Sequence, residues 1–418
     1  MSSIVSIVYP VCCGIDVHKN FLVACIATTD ERNHTTHQIR RFSTNTGDLR
    51  RLADWLLINN CKDVCMESTG KYWIPVFNIL EKTYNVCLTH PKYVKAIKGK
   101  KTDKKDAKWI AELFKCDLIR SSFIPPHNIR QLRDLCRYHA KLTYMTTSEK
   151  NRGQNCLTLC NFKLDAVFSD VFGSSATRIL NMLLESGNTD FDIKPLLHNR
   201  CKATVDEIRA AIDGEFSSAQ AEKLRLIRLH LDYLLALKDT LEEYILELAE
   251  PLMHQVNLLM SVPGLSNPFS AIRVLAEIGA DMSVFETSKQ LCSWAGLTPQ
   301  NNESANKKKT TRISRAGAYL KPLLVQVALA IVKSNKHPEH KEKYQALKKR
   351  RGHKKSIIAI ARRLLTAIWH ILSKNENYNA ELYRRTEKPP ANRLLTPEQA
   401  FALLRKKGFQ IIDPCPAA

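Results

Sequence analysis

The sequence has no C-x-x-C pair. Its 13 cysteines, an odd number, are scattered from Cys12 to Cys415 without the spacing that builds a thiolate zinc site. Cys61 with Cys65, and Cys87 with His90, come nearest, and buried thiols in a reducing cytosol are the expected state of the set. An uninterrupted apolar run is also missing from the start of the chain. The opening stretch SIVSIVYPVCCGI meets Asp16, His18 and Lys19 before it is long enough for a secretory signal or a bilayer span, so a soluble intracellular protein with no membrane partner is expected. Acidic residues are the third shortage: 41 Asp and Glu stand against 63 Lys and Arg, a formal charge of +22. That excess points to a polyphosphate partner, nucleic acid first, with a basic solvated surface as the competing reading.

At 418 residues the chain exceeds one ordinary compact core and predicts two or three domains joined by linkers. Residues 11–29 read as two β-rich runs joined by a polar turn around His18 to Asn20, with a third strand near His37 to Phe42. A helix over Thr46 to Ile58, the strand DVCMES, a helix through Ile79 and Leu80, the strand NVCLTH and a helix from near Thr102 follow. The order β-β-β-α-β-α-β-α predicts a mixed sheet with helices packed on it over 1–124. Pro125 and Pro126 break the pattern. The segment 125–253 reads as helical, with one stretch from His127 to Leu164 and another from Val205 to Met253 whose Leu and Ile spacing fits a long amphipathic helix or coiled coil; a partner-helix stripe and an ordinary core stripe both remain open. A mainly helical C-terminal domain over 254–375 and a tail over 376–418 complete the expected division. Within it, SVPGLSNPFSAIRVLAEIG fits either a helix-hairpin-helix that takes DNA phosphates on backbone N–H groups or a plain helical turn. The strongly basic run from His337 to Lys355 fits either a nucleic-acid contact or a solvated face.

Phosphodiester chemistry calls for a divalent ion held by a few carboxylates, with Mg²⁺ or Mn²⁺ as the candidates. Asp16 lies in an apolar strand, where burial of a charge must be offset, and Glu67 ends the next strand in the same way. Asp103 and Asp106 stand three apart at a helix start, on one face. Each has a plainer reading: Asp16 as a turn residue, Glu67 as a cap, Asp103 and Asp106 as a solvated helix N-terminus; Lys101 and Lys105 beside them are expected, with the basic residues around Ser304, to contact nucleic acid. The order Asp, Glu, D-x-x-D on successive α/β elements is more specific than any member, and it places the four acids where they could meet at one edge of the sheet. In the C-terminal part, Ser304 lies in a polar loop from Pro299 to Thr311, flanked by Lys307, Lys308, Lys309, Arg312 and Arg315, cations that would stabilise charge on phosphoryl oxygens. By spacing alone it could equally be an ordinary loop serine.

The segments GIDVHKNFLVACI, MESTGKYW and KTDKKDAKWIAELF resemble the RuvC-like DEDD domain of insertion-sequence transposases of the family numbered one hundred and ten. GLTPQNNESANKKKTTRISRAGAYLKPLLVQVA is similar to that family's second domain, and together the resemblance runs from about Gly14 to Lys333. It implies a RuvC/RNase H-like α/β domain followed by a helical region, Asp16, Glu67, Asp103 and Asp106 as the metal-binding acids, and Ser304 as a nucleophile joined covalently to DNA at a composite site. It also implies donor and target DNA, a structured guide RNA, a homodimer or homotetramer, and the cytoplasm and nucleoid of a bacterial or archaeal cell. Asn306 stands where the family often has glycine in S-A-G-K, which bears on the backbone of the loop. Tyr319, in AYLKPLLVQVALAIV, reads as a packed residue rather than a recombinase nucleophile. Two other activities fit the same residues: a metal-dependent RuvC-like nuclease or junction resolvase, and a non-catalytic nucleic-acid-binding protein.

Overall fold

A computed structural model of the chain describes residues 6–68, 70–94, 102–299, 302–304, 307–310, 312–383 and 397–409. It divides into two compact units, Met1–Arg130 and Gln131–Ala418, the division falling in the first turn of a helix that opens at His127.

In the first unit the elements run β1 (Val11–Val17), β2 (Phe21–Thr29), β3 (Thr35–Ser43), α1 (Thr46–Ile58), β4 (Asp63–Glu67), α2 (Trp73–Leu80), β5 (Asn85–Thr89), α3 (Pro91–Val94) and α4 (Asp103–Lys115). One five-stranded sheet forms in the order β3-β2-β1-β4-β5. The first three strands are an antiparallel meander; β4 joins β1 in parallel and β5 joins β4 in parallel. This is the mixed sheet with helices packed on it that the sequence led us to expect, with β1 at its centre.

A central strand covered on both sides should be apolar at every position, and β1 is buried from Cys12 to Val17. Alternate residues feed two cores. Cys13, Ile15 and Val17 join Leu22, Ile26, Val64 and Met66 under α1 and α2, which contribute Leu49, Leu52, Trp55, Leu56, Val76, Phe77 and Leu80. Cys12, Val23, Cys25, Ala27 and Cys65 form the opposite core with α4. That helix supplies Ala107, Ile110, Ala111 and Phe114, spaced i, i+3, i+4, i+7 on one stripe, and is capped by Thr102, whose hydroxyl accepts the Lys105 N–H.

The seam between α4 and β1 is closed by Gly14. A Cβ there would lie 2.3 Å from the Ala111 nitrogen and 2.4 Å from the Ala107 carbonyl oxygen, so strand and helix backbones touch where any side chain would separate them.

The second unit is helical: α5 (His127–Leu159), α6 (Leu164–Val167), α7 (Ser174–Ser186), α8 (Val205–Ala211), α9 (Ser218–Leu248), α10 (Met253–Met260), α11 (Pro268–Ile278) and α12 (Ser288–Trp294) precede a hairpin of β6 (Asn302–Ser304) and β7 (Lys307–Thr310). Then come α13 (Leu320–Lys333), α14 (Pro338–Arg351), α15 (His353–Lys374) and α16 (Pro397–Lys406). The single helical stretch expected from Val205 to Met253 is broken. Ser217 caps a new helix start, and Gly214 passes so close to the Cys160 carbonyl that an added Cβ would sit 2.3 Å from its oxygen. The segment between α5 and α9 builds its own core around Phe162, Ile179, Leu180, Leu183, Ile193, Ile208 and Ile212. α15 is long and apolar enough to cross a membrane by length and composition, yet half of that apolar window is buried. It packs on α10, α12, α13 and α14.

Gly14→Ala should destabilise the protein by roughly 3 kcal/mol or more, because the methyl meets backbone atoms rather than a side chain that can swing away. Urea unfolding followed by circular dichroism checks it; a destabilisation below about 0.5 kcal/mol, the scale of a neutral surface change, would show that the seam is not tight.

Candidate functional site

The residues picked out in the first unit meet at one edge of the sheet. Asp16 lies two positions beyond Gly14, on the α4 face of β1. Parallel pairing of Gly14 with Cys65 and of Ile15 with Met66 brings Glu67, the last residue of β4, level with Asp16 at the carboxyl ends of both strands. Asp103 and Asp106 sit in the first turn of α4, one turn ahead of Ala107 and Ile110, so the Gly14 seam carries them to the same edge. Ligands commonly bind outside the carboxyl ends of parallel strands, and a helix N-terminus there favours negative charge.

Asp16 is 8% exposed, whereas Glu67, Asp103 and Asp106 are half-buried. Burial raises the Asp16 carboxyl above its ordinary range; His18 pulls it down, and Asp106, Glu67 and Asp103 push it up again. Asp16 therefore senses the other three acids electrostatically.

Sequence reasoning passed over His18. Its Nε2 lies 3.2 Å from Asp16 Oδ2 and 3.4 Å from Asp103 Oδ1, and the three donor atoms fall within 4.8 Å of one another. Nε2 is shielded from solvent, yet it makes no hydrogen bond to either oxygen. A buried, unsatisfied nitrogen facing two carboxylates is a donor set that suits a divalent cation. The available signal was the D-x-H pattern at a strand end, which sets carboxylate and imidazole on one side.

Of the cations chosen in the sequence, Lys105 is an exposed residue of α4 whose backbone N–H is taken by Thr102, and Lys101 lies outside the described residues.

Ser304 belongs to the second unit. The polar loop expected from Pro299 to Thr311 contains a two-stranded antiparallel hairpin, with Ser304 at the register position opposite Lys307 and Glu303 opposite Lys308. Of 302–304 and 307–310, which include Ser304, Lys307, Lys308 and Lys309, the structure describes the backbone; Asn306 lies outside the described residues. Arg312 and Arg315 are exposed just beyond.

The foot of the hairpin is tightly made. Pro299 bridges Ile313. Gly296 and Gly317 both have φ +68, and a Cβ on Gly317 would meet the Ala295 carbonyl oxygen at 2.3 Å, one on Gly296 the Ala316 oxygen at 2.7 Å. The Lys321 ammonium donates to the carbonyls of Ser314 and Ala316 at 2.7 and 2.8 Å, tying the returning strand to α13. Tyr319, expected to be packed, lies under the Arg137 guanidinium at 4.8 Å, which in turn makes two hydrogen bonds to buried Glu277.

Comparison with known proteins gives two family matches. A family model for the DEDD domain of IS110 elements, described as Transposase, matches residues 13–162, and one described as Transposase IS116/IS110/IS902 family matches residues 256–345. Between them they take in more than half of the chain. A transposase for insertion sequence element IS1111A from Coxiella burnetii is 32% identical over 29% of this chain and 33% of its own length. A pilin gene-inverting protein from Moraxella bovis is 28% identical over 32% of this chain and 41% of its own length, so the chain matches well under two thirds of either relative. The pilin gene-inverting protein of Moraxella lacunata is 22% identical over 88% of this chain and 98% of its own length. A fowlpox virus resolvase, solved with Holliday junction DNA, shares 18% identity over 25% of this chain and 72% of that chain at a TM-score of 0.18, a likeness too slight to bear on the fold.

Because burial holds the Asp16 carboxyl above its unfolded value of about 3.9, its proton is bound more tightly in the folded, metal-free protein than in the unfolded chain. The stability so contributed is full at low pH and is lost as pH rises through the folded value. In EDTA at pH 7, Asp16→Asn should therefore unfold at a higher temperature than the parent, the gap closing toward pH 4. Adding a divalent ion should reverse the order if the acids hold it, since the variant lacks one of the carboxylates that could. A lower unfolding temperature for the variant in EDTA at pH 7 would contradict this.

Proposed function

The chain belongs to the IS110 family of transposases, and on that footing we propose that it cuts and rejoins donor and target DNA, with Asp16, Glu67, Asp103 and Asp106 holding a divalent cation and Ser304 as the nucleophile. The reading assigns the acids to segment 1–124 and the serine to segment 254–375, with the helical 125–253 between them and the tail 376–418 after.

The observation that carries it is the convergence of the acids on the carboxyl ends of β1 and β4, with Asp16 and Asp103 sharing the unsatisfied His18 nitrogen. Mg²⁺ or Mn²⁺ bound there supplies positive charge to phosphoryl oxygens. The chain's own part is described by bonds made and broken. Ser304 Oγ loses its proton and forms a bond to phosphorus, a DNA oxygen leaves as a free hydroxyl, and attack of another strand's hydroxyl on the serine ester reverses the step and rejoins DNA. Because each exchange replaces one phosphate ester by another, no outside energy source is required. A structured guide RNA and a second or fourth copy of the chain complete the proposed assembly. A metal-only nuclease reading leaves the phosphodiester chemistry to the acids and makes Ser304 structural.

Ser304→Ala separates the two: it should abolish the covalent protein–DNA adduct seen on a denaturing gel, and strand joining with it, by about a thousandfold or more. Cleavage at the parent rate by this variant would leave the nuclease reading standing and overturn the serine reading.

Nucleic-acid backbone has a natural seat on the α14–α15 corner. Gly352, at φ +77, turns the chain between the two helices, and Lys348, Lys349, Arg350, Arg351, His353, Lys354 and Lys355 are exposed in succession around it. Tyr344 braces the corner through a 2.8 Å hydrogen bond to His353 Nδ1. Replacing Lys348, Lys349, Arg350 and Arg351 by serine should weaken DNA binding alike for all sequences. The slope of log K against log salt should become shallower by about 0.9 for each DNA phosphate that these side chains neutralise in the parent. An unchanged slope would take this corner out of the interface, and sequencing the RNA that copurifies with the parent protein identifies the guide or shows that there is none.

A further inference from the structure

We propose that His18 is itself a metal ligand, through Nε2, and that this nitrogen makes the acidic site favour Mn²⁺ over Mg²⁺. The inference rests on the reading above that the acids hold a divalent ion.

Three observations support it. First, the distances fit a shared ion better than they fit hydrogen bonds. Two cis ligands of an octahedral ion at about 2.1 Å stand about 3 Å apart, close to the 3.2 and 3.4 Å that separate Nε2 from Asp16 Oδ2 and Asp103 Oδ1. Nε2 nevertheless forms no hydrogen bond to either oxygen. Second, the ring is held before any ion arrives. The His18 backbone N–H donates to the Phe21 carbonyl at 2.9 Å, the imidazole packs on the Phe21 ring at 4.7 Å between centroids, and the Arg41 guanidinium covers that ring at 3.8 Å. Third, Asp16 is buried at the strand end, where an ionised carboxylate is costly unless a cation within the cluster meets it.

A preference follows from the donor chemistry. Mg²⁺ takes oxygen ligands and keeps several waters, whereas imidazole nitrogen suits first-row transition ions. To donate its lone pair, Nε2 must be unprotonated, with the ring proton on Nδ1.

The test uses the full-length protein and Mn²⁺ as the probe. Electron spin-echo modulation of bound Mn²⁺ should show coupling to an imidazole ¹⁴N, and competition should show Mn²⁺ bound tighter than Mg²⁺ by roughly tenfold or more. In His18→Ala the ¹⁴N modulation should vanish and the Mn²⁺ advantage should shrink by a similar factor, with the circular dichroism spectrum unchanged. If native protein binds Mn²⁺ without ¹⁴N modulation, or the modulation persists in His18→Ala, His18 is not a ligand and the proposal is overturned. If Asp16→Asn leaves Mn²⁺ binding unaltered, the acidic-site reading fails instead, whatever the histidine does.

Discussion

The backbone contact between α4 and β1 is the constraint on which the first unit's geometry turns. Helices normally pack on sheets through side chains, at a distance set by those side chains. Here Gly14 removes one layer of them, and Ala107 and Ala111 keep the facing helix thin. The helix drops onto the central strand, and its first turn arrives beside the carboxyl end of β1. A larger residue at any of these three positions lifts the helix, and with it Asp103 and Asp106, away from Asp16. The contact thus serves packing and site geometry through the same atoms.

That geometry has an electrostatic consequence. Four carboxylates at one strand edge repel, and burial of Asp16 adds a desolvation cost. The fold supplies partial relief: the N-terminus of α4 offers a favourable dipole, and His18 faces two of the acids. Neither equals a divalent charge. A divalent cation at this edge would relieve both costs at once, which is how a folded scaffold can store affinity for an ion without closing around it.

Much of this was legible in the sequence where periodicity and charge placement coincide. The helix Thr46–Ile58 and the helix that opens at Asp103 stand where apolar spacing set them, and the element order β-β-β-α-β-α-β-α is the one that alternation predicted. The individual acids were visible because charge inside apolar strands is costly. Their meeting at one edge of the sheet followed from the order of the elements; the strand register and the Gly14 seam that bring it about did not, since the role of Gly14 appears only when the helix lies on it. His18 escaped because a polar residue at a hairpin turn has an ordinary explanation. The break at Gly214 escaped because apolar spacing continues on both sides of it, while the cause is a carbonyl in the distant segment at Cys160. Local pattern can report periodicity but not what a backbone will touch.

The hairpin that carries Ser304 extends the same reasoning. Around the serine the sequence is polar and rich in lysine, which by composition alone describes any solvated loop. Structure enters at the foot. Gly296 and Gly317 cross with their backbones in contact, each at a positive φ that other residues adopt at a cost, and Lys321 holds two carbonyls of the returning arm. These three residues fix where the hairpin leaves the helical unit, and the register then fixes Ser304 opposite Lys307. A residue in a loop is normally placed imprecisely. The backbone position of Ser304 in the hairpin is set by fit at residues 8 to 17 positions away in the chain, so the informative signal for where this serine stands lies in the spacing of Gly296, Gly317 and Lys321 rather than in the residues beside it.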